Sequence, residues 1–538
     1  MTRALAAALA AAAVACTPAA PARTSMTYPQ TARGDVVEDY HGTEVPDPYR
    51  WMEDLDAPAV ADWVAAENAV TEPYLAKLPL RERLTGRLTE LWNYARVGLP
   101  ATEGGKIFYA KNAGLQRQSP IYVRDNWAAA PRLVIDPNDI SADGSVSLAQ
   151  WTVSPDARRL AYGLAEGGAD WRTIKVRDLA SGTDLDDEVR WMRFSGISWT
   201  RDSRGFFYSR YPEPPANKVL EAALSGQALY YHRVGRPQSE DVLVYERPDL
   251  PGWLIGGSVT EDGRYLLIVM AEGSGNQNRL YYADLGSARS PNVKASVKPL
   301  VETDDAEYAP IGNVGPLVYL RSDKDAPNRK VIAIDALARP PNGRRSCPSG
   351  QRRFESVGLI GGRIVAHLVD VQSRLQLDGL DGTDQGTVRC PAWGPWSGIN
   401  GPRGRAGNLH AFSALLTPST VFLYDPSAVQ STASNPPALP VDLSGLRDDG
   451  DETHPKDGTR VPHFMTARKN SPRDGSNPTM AYGAWRLLHF DDAGLSPGRA
   501  RLARAGRRLG HGQHAGRRRV RRGVAPGGDA GPEAARVR

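Results

Sequence analysis

Hydrophobic and polar positions alternate along the chain in short runs, and each run follows a tight polar turn. The clearest runs are WTVSPDARRLAY from Trp151, SWTRDSRGFFY from Ser198 and SVTEDGRYLLI from Ser258. In each run a turn-forming residue, Asp156 in the first, precedes a β-branched or aromatic stretch, which is typical of a strand that leaves a turn. Second strands that end in Asp follow, as in TIKVRD and LYYAD. The pattern therefore predicts equivalent β units.

Seven such units begin near residues 105, 156, 202, 262, 315, 361 and 407, at intervals of 45 to 60 residues. No helical pattern separates them. Strands repeated at this period predict a mainly β fold, a seven-bladed β-propeller in which radial repetition leaves only short edges. A large β-sandwich is the alternative, because irregular strand spacing is common to both architectures.

Helical patterns precede the repeats. Pro58 stands where a first helical turn tolerates proline, and Val60, Trp63 and Val64 continue at helical spacing. A second helix is predicted by one apolar stripe, which consists of Leu80, Leu84, Leu88 and Leu91. After the last repeat, alternation from Val461 and again over residues 479–482 predicts two further strands. The helical stripes require a partner surface.

The length of the chain predicts more than one domain, and its charge is unevenly distributed. A chain of 538 residues exceeds a single hydrophobic core and predicts two or more domains. The formal net charge is +5, but residues 485–538 carry 13 Arg, no Lys and four acids, a net charge of +9. The preceding residues therefore carry 5 − 9 = −4. The basic character of the chain belongs to its tail.

The N-terminus has the pattern of an export signal. Arg3 is followed by an Ala/Leu run to Ala15 and then by small residues, a run too short to span a membrane as a mature helix. Ala13-Val14-Ala15-Cys16 resembles a lipobox, so Cys16 is a candidate for lipidation, and an ordinary signal peptide is the alternative. We expect a protein that is exported, periplasmic or lipid-anchored to the cell envelope. Cys347 and Cys390 either pair or remain separate thiols.

Four segments resemble one family of proteins. They are DYHGTEVPDPYRWMEDLDAP (39–58), AENAVTEPYL (66–75), GADWRTIK (168–175) and LYYHRVGRPQSEDVLVYE (229–246). These segments resemble the prolyl oligopeptidases, serine peptidases that cut short peptides after proline, and the resemblance runs from about residue 28 to Gly483. It implies an α/β-hydrolase domain, built from an N-terminal helical segment and a C-terminal half, capped by a seven-bladed propeller. It implies short proline-containing peptides as substrates, a monomer, and no cofactor.

The resemblance and the patterns together predict five regions. They are a signal peptide and tether (1–27), a helical segment of the peptidase domain (28–92), the propeller (93–450), the first strands of a truncated α/β-hydrolase domain (451–483), and an Arg/Gly/Ala-rich tail without ordered structure (484–538).

The resemblance stops at Gly483, where the composition changes abruptly. The family continues with a YGYGGF-like sequence, whereas this chain continues AWRLLHFDDAG. Permissible codons for residues 511–538, read one nucleotide later, give TANMRGGGEYGEEWHRAGMLARKQRVF, which resembles the family. We hypothesise a one-nucleotide frameshift between Gly483 and Trp485. Out-of-frame reading of GC-rich codons also produces Arg without any function, so we expect no nucleic-acid partner.

No catalytic residue is predicted in the chain as written. A serine hydrolase needs a nucleophile on a strand-to-helix turn, a His base, an acid and N–H donors for the oxyanion. The G-x-S-x-G of residues 494–498 fails, because Pro497 follows the serine and has no N–H to donate. Ala484 stands where the family has a tyrosine donor. His511 and His514 lack companions at metal-ligand spacing, so no metal site is expected.

Two propeller residues are candidate substrate contacts. Phe194 in RFS and Arg279 in NRLYY occupy motifs that, by the resemblance, face the substrate cavity, although each is also compatible with an ordinary strand position. The expected function is that of an exported prolyl endopeptidase that acts through an acyl-enzyme, with this chain inactive. The alternative is a non-catalytic propeller that binds a peptide or protein partner.

Overall fold

A computed structural model gives the fold of the chain. It describes residues 26–482 and 508–512, apart from residues 56, 216–223, 274, 339–342, 349–352, 361, 371, 390–395, 401–407, 415, 426–429, 435 and 454–460. The chain divides after Thr89 into two compact units. We call them the N-terminal unit and the propeller unit.

The N-terminal unit begins with a hairpin and continues into two helices. The elements are β1 (Val37–Tyr40), β2 (Thr43–Pro46), a 3₁₀ turn (Arg50–Glu53), α1 (Pro58–Ala76) and α2 (Arg81–Trp92), the last of which runs across the boundary between the units. Both predicted helices are confirmed, with Pro58 at the first position of α1. No helix in the described part of the chain is long and apolar enough to cross a membrane.

The apolar stripe of α2 is covered at one end only. Leu91 is 2% exposed, whereas Leu80, just before the helix, and Leu84 are 53% and 40% exposed. Among the described residues 26–89, Val60 alone is buried. Within the N-terminal unit, the described residues therefore do not supply the partner surface that the stripes require.

The propeller unit starts with two antiparallel sheets. In the first, β3 and β4 both pair with one edge of β5, and β6 and β7 follow: β3 (Arg96–Val97), β4 (Ala101–Glu103), β5 (Lys106–Asn112), β6 (Ile121–Arg124) and β7 (Arg132–Ile135). The second has eight strands: β8 (Val146–Val153), β9 (Arg159–Glu166), β10 (Arg172–Asp178), β11 (Asp184–Met192), β12 (Ser198–Trp199), β13 (Gly205–Arg210), β14 (Ala228–Arg233) and β15 (Val242–Tyr245). Short 3₁₀ turns lie at Pro137–Asp139 and Gln238–Glu240.

Four four-stranded sheets follow, each built by strands in chain order. The first consists of β16 (Trp253–Val259), β17 (Tyr265–Glu272), β18 (Asn278–Asp284) and β21 (Val297–Val301), with a small hairpin of β19 (Gly286–Ser287) and β20 (Ser290–Pro291) inserted. The second consists of β22 (Tyr308–Val314), β23 (Leu317–Ser322), β24 (Lys330–Asp335) and β25 (Gly343–Pro348). The third consists of β26 (Arg353–Ile360), β27 (Arg363–Asp370), β28 (Gln372–Asp378) and β29 (Asp384–Arg389). The fourth consists of β30 (Trp396–Asn400), β31 (Asn408–Ala414), β32 (Thr417–Asp425) and β33 (Gln430–Ala433).

The chain is thus mainly β and forms a β-propeller, and the β-sandwich alternative is wrong. The sheet count differs from the blade count that the sequence predicted. Residues 96–433 form six such sheets instead of seven, because Met192 of β11 pairs with Arg210 of β13 and joins two groups of strands. Cα atoms of β3 and β32 lie within 8 Å of each other, so the sheet of β3 to β7 is a neighbour of the sheet of β30 to β33.

The polar turns that were predicted from the sequence share one pattern of hydrogen bonds. Thr200 Oγ1 donates to Asp202 Oδ1 at 2.7 Å, and the same carboxylate oxygen accepts from the N–H of Arg204 at 3.2 Å. The turns that begin at Ser154 and Thr260 repeat this geometry. The predicted role of Asp in these turns is confirmed: its side chain takes the N–H that would otherwise lack a partner.

The hydrophobic core lies between consecutive groups of strands. Phe108 of the first sheet packs with Leu160 of β9, and Ala161 on the opposite face of β9 packs with Phe206 of β13. Four more buried clusters continue the series, from Phe207 with Ile255 to Val365 with Ala414. Both faces of most strands are therefore covered by neighbouring strands.

The last sheet contains both strands predicted after the repeats and one strand that was not predicted. Its order is β34-β35-β37-β36, with β34 (Leu446–Thr453), β35 (Val461–Arg468), β36 (Thr479–Tyr482) and β37 (Arg508–Gly512). β37 pairs antiparallel with β35 and parallel with β36. The tail without ordered structure stays a prediction; of its residues, the structure describes 508–512, which form β37. A strand held between two others is specified by backbone hydrogen bonds and needs no alternating side chains.

Candidate substrate face of the propeller

One end of the propeller carries both candidate substrate contacts. Strand directions alternate within each group of four propeller strands, and the eight-stranded sheet contains two such groups. Each group therefore begins and ends at the same end of the propeller, which we call the entry end. The connection that contains Phe194 leaves β11 at the entry end, and Arg279 is the second residue of β18, which starts there. The structure therefore brings Phe194 and Arg279 to one end, on neighbouring sheets. Their contact with substrate stays a prediction.

The backbone around Phe194 has an uncommon conformation. Phe194 and Trp191 have φ angles of 52° and 64°, in the left-handed region. Bulky residues in this region cost about 1–3 kcal/mol each and persist only where the surroundings hold them. The ring of Phe194 is 48% exposed. A strained backbone that presents an exposed aromatic ring is typical of a binding surface.

Aromatic rings and a paired arginine support this connection. The Arg193 guanidinium lies 4.9 Å from the centre of the Phe194 ring and 5.5 Å from that of Trp171, and its Nη2 lies 2.8 Å from Asp170 Oδ2. Trp171 in turn meets Trp191 edge to face at 6.0 Å between ring centres. Both sides of the connection are thus fixed by cation–π and aromatic contacts, and the exposed ring of Phe194 remains free to bind.

Arg279 has a similar arrangement. Its guanidinium lies 4.7 Å from the centre of the Trp253 ring, and its Nη2 lies 3.3 Å from Asp304 Oδ1. The side chain is 24% exposed. An arginine held flat on an indole keeps N–H groups available to peptide carbonyls. Phe194 and Arg279 together offer one apolar contact and one hydrogen-bond donor.

The sequence did not predict a buried histidine that lies between two carboxylates. His232 of β14 is fully buried, with its Nδ1 2.7 Å from Asp241 Oδ1 and its Nε2 2.9 Å from Asp187 Oδ1. Burial alone would lower the pKa of His232, but the hydrogen bonds to the two carboxylates outweigh it and raise the pKa to about 9. Since both ring nitrogens must donate, the imidazole is protonated at neutral pH.

This group joins strands and does not catalyse. Asp187 lies on β11, so the imidazolium links the two strand groups of the eight-stranded sheet. Asp241 Oδ2 also accepts from Tyr208 Oη at 2.7 Å, and burial and this carboxylate raise the pKa of Tyr208. A fully buried imidazolium cannot reach a substrate. His232 and Asp241 both lie in a segment quoted for the resemblance, but nothing in the sequence indicated the second carboxylate partner, Asp187, which is 45 residues away.

The other residues considered from sequence lie elsewhere. Cys16, Cys390 and the serine of residues 494–498 lie outside the described residues, as does His514. Lipidation of Cys16 and the state of the other cysteines stay predictions.

Comparisons with known proteins agree with this architecture. Residues 29–435 match the family described as "Prolyl oligopeptidase, N-terminal beta-propeller domain". The chain is 31% identical to a prolyl endopeptidase of Elizabethkingia meningoseptica over 458 residues, which are 85% of this chain and 64% of the relative. It is 30% identical to a dual function macrocyclase-peptidase of Galerina marginata over 516 residues, which are 87% of this chain and 68% of the relative. The chain therefore spans about two thirds of the length of these relatives.

Solved structures are similar as well. A structure from a study of two prolyl endopeptidases is 33% identical, covers 90% of this chain and 70% of its own, and superposes with a TM-score of 0.69. Prolyl oligopeptidase B from Galerina marginata, bound to a 35mer hydrolysis and macrocyclization substrate, is 27% identical with a TM-score of 0.81, over 91% of this chain and 72% of its own.

Proposed function

Because this chain belongs to the prolyl oligopeptidase family, we propose that its propeller presents short proline-containing peptides to a serine-peptidase domain that cleaves them after proline. The observation that carries this proposal is the entry end, where the exposed ring of Phe194 and the guanidinium of Arg279 over Trp253 lie on neighbouring sheets. An aromatic ring packs well on a proline ring, and a guanidinium donates to the peptide carbonyls beside it.

The propeller of this proposal has seven blades. The eight-stranded sheet is counted as two blades, β8 to β11 and β12 to β15. A single residue pair, Met192 of β11 with Arg210 of β13, links these two halves. Six buried clusters, each between consecutive strand groups, support the same division, because six interfaces in series separate seven groups. The proximity of β3 and β32 supports a seventh interface that closes the ring.

The sheet of β34 to β37 is, in this proposal, the beginning of an α/β-hydrolase domain. Its mixed pairing supports the assignment, since the parallel pair β36–β37 requires a crossover connection, which is typical of α/β folds and foreign to propeller blades. Leu446 of β34 packs on Leu416 and Leu443, so this sheet adjoins the connection between β31 and β32, at the entry end.

We further propose that the 538-residue product has no peptidase activity. The support lies in the residues after Gly483, where the G-x-S-x-G has Pro497 in the place of an oxyanion N–H donor. A serine nucleophile needs a His base, an acid to orient it and oxyanion donors, and no such set is recognisable in this stretch. A serine-directed fluorophosphonate is therefore expected to leave the full-length product unlabelled, and labelling of a serine would contradict the proposal.

Peptide binding tests the substrate face separately from catalysis. An acetylated and amidated proline-containing peptide is expected to bind the 538-residue protein in calorimetry, and Phe194→Ala is expected to weaken binding by about tenfold. Leu133→Ala is the matched control, since Leu133 has the same exposed fraction of 48% but lies on β7. Equal affinity of the two variants would contradict the assignment of Phe194.

A non-catalytic propeller that binds a peptide or protein partner is the second candidate. The exposed ring of Phe194 on a strained backbone favours it, because this feature needs no triad to be useful. The two candidates differ in specificity: a peptidase face is expected to lose affinity when the peptide proline is replaced by alanine, whereas a general binding face is not.

A further inference from the structure

A buried glutamine connects the two candidate substrate contacts. Gln227, immediately before β14, is 3% exposed. Its Nε2 donates to the carbonyl oxygen of Arg193 at 2.8 Å, and its Oε1 accepts from the N–H of Ile255 at 2.6 Å. Both partners are main-chain groups, 34 and 28 residues away along the chain. The amide therefore bridges two distant backbone segments.

Each bridged segment carries one of the contacts. The Arg193 carbonyl belongs to the peptide unit that leads into Phe194, whose φ is 52°. Ile255 lies two residues after Trp253, the indole on which the Arg279 guanidinium stacks at 4.7 Å. A displacement of the Gln227 amide would thus move the Phe194 backbone relative to the support of Arg279.

The bridge also explains how the strained connection is held. The N–H of Ser209 donates to Ser195 Oγ at 2.8 Å, which fixes the connection on its far side. On the near side, the Gln227 amide holds the peptide unit before the left-handed residue. Without it, the backbone at Phe194 would be free to relax toward a commoner conformation.

We propose that Gln227 is a positioning residue that sets the distance between Phe194 and Arg279, so that both contact one peptide. This inference rests on the proposed function and adds a residue that does not itself touch the peptide, because its side chain is buried. The bridge needs one donor and one acceptor on the same group, and among side chains of this length only the glutamine amide carries both at neutral pH.

Gln227→Glu tests this requirement directly. The carboxylate still accepts from Ile255 N–H, but at pH 8 it sets an acceptor against the Arg193 carbonyl, and only the protonated acid restores a donor. The charged groups on the surrounding elements are Arg193 with its partner Asp170, Arg279 with its partner Asp304, and also Arg210, Glu272 and His232. The arginines keep their charge throughout this range. We expect the variant to bind a capped proline peptide roughly tenfold more weakly than the parent at pH 8, and to recover as the pH falls to about 5.

The chain offers a matched control in Gln118. Its Nε2 donates to Val146 O at 2.8 Å and its Oε1 accepts from Leu148 N at 2.8 Å, the same pair of bonds, but directed to a single strand, β8. Gln118→Glu is expected to lower the melting temperature without a pH-dependent loss of peptide affinity. If Gln227→Glu does not fold, the neutral Gln227→Met is expected to bind weakly at every pH without recovery.

Two outcomes would overturn the inference, and they are distinguishable. If the parent chain binds the peptide and Gln227→Glu binds as the Gln118→Glu control does at pH 8, the positioning role is wrong while the proposed function stands. If the parent chain itself binds no proline peptide, the proposed function fails, and the positioning role fails with it.

Discussion

Most apolar side chains of the propeller unit are buried, whereas many of those in the N-terminal unit are exposed. Strands of the propeller stack in series, so that side chains such as Leu160, Phe206 and Leu266 are fully buried. Of the 23 large apolar side chains that are exposed in the described residues, 14 belong to residues 26–89. Stacked sheets cover each other, whereas an amphipathic helix needs a surface from another element. We therefore expect the propeller to fold on its own contacts and the N-terminal unit to need a further apolar surface.

Limited proteolysis of the 538-residue protein is expected to show the largest difference between the propeller and the segments on either side of it. Early cleavage is expected within residues 28–92 and 456–483, and a resistant fragment of roughly residues 95–450 is expected to remain, because local opening is easiest where few apolar contacts form. Mass spectrometry of the fragments locates the cuts. Uniform resistance of both ends would contradict the comparison.

Substitution of the buried His232 imidazolium is expected to have the next largest effect, a loss of folding stability. His232→Gln leaves Asp187 and Asp241 without a cation, and removal of one partner from a buried ion cluster costs about 3–5 kcal/mol. The folded-state pKa of about 9 exceeds the ordinary value of 6.5, so the stabilisation is complete below pH 6.5 and disappears as the pH rises through 9. It amounts to about 3 kcal/mol.

Urea unfolding of the parent and the variant at several pH values measures this effect. The difference between the two is expected to shrink between pH 6.5 and 10. His41→Asn in the exposed turn of the N-terminal unit is the control, and its unfolding curve is expected to follow the parent at each pH. A difference that does not depend on pH would show that His232 is not held as an imidazolium.

A leucine-to-alanine substitution made in each unit measures how much burial of the side chain contributes to stability. Leu160→Ala in the propeller removes a fully buried side chain and is expected to cost about 2–5 kcal/mol. Leu84→Ala removes a side chain that is 40% exposed on a helix, where alanine is the better helix former, and is expected to change stability by less than about 0.5 kcal/mol. Similar losses in the two variants would mean that Leu84 is covered in solution.

The smallest expected effect concerns the last sheet. Burial raises the pKa of Asp448 to about 6, against a hydrogen bond from Thr466 Oγ1 that lowers it. The folded protein therefore holds the proton better than the unfolded chain, and stability falls as the pH rises from about 4 to 6. Asp448→Asn is expected to stabilise by about 1 kcal/mol at pH 8 and not at pH 4. Stabilisation independent of pH would contradict burial of the Asp448 carboxyl as the cause.

The sequence predicted local structure far better than long-range contacts. The turns at Ser154, Thr200 and Thr260 were predicted because each depends on residues within five positions. The pairing of β11 with β13 was not predicted, since a single residue pair leaves no periodic signal. β37 was not predicted either, because its position depends on two strands that lie far away along the chain.

The candidate site shows the same division. Phe194 and Arg279 were predicted from resemblance alone, and no pattern of spacing would have found them. The bridge through Gln227 joins residues 28 and 34 positions away, and the imidazolium of His232 reaches Asp187, 45 positions away. Buried polar groups find partners through the fold, so only coordinates show which donor meets which acceptor.

Cleavage of a proline-containing reporter peptide by the purified 538-residue protein tests the central claim most directly, that this chain forms a substrate-facing propeller without a working serine triad. We predict no release of reporter above the rate in buffer, while the same preparation yields the protease-resistant propeller fragment. Cleavage after proline that a fluorophosphonate abolishes would contradict it.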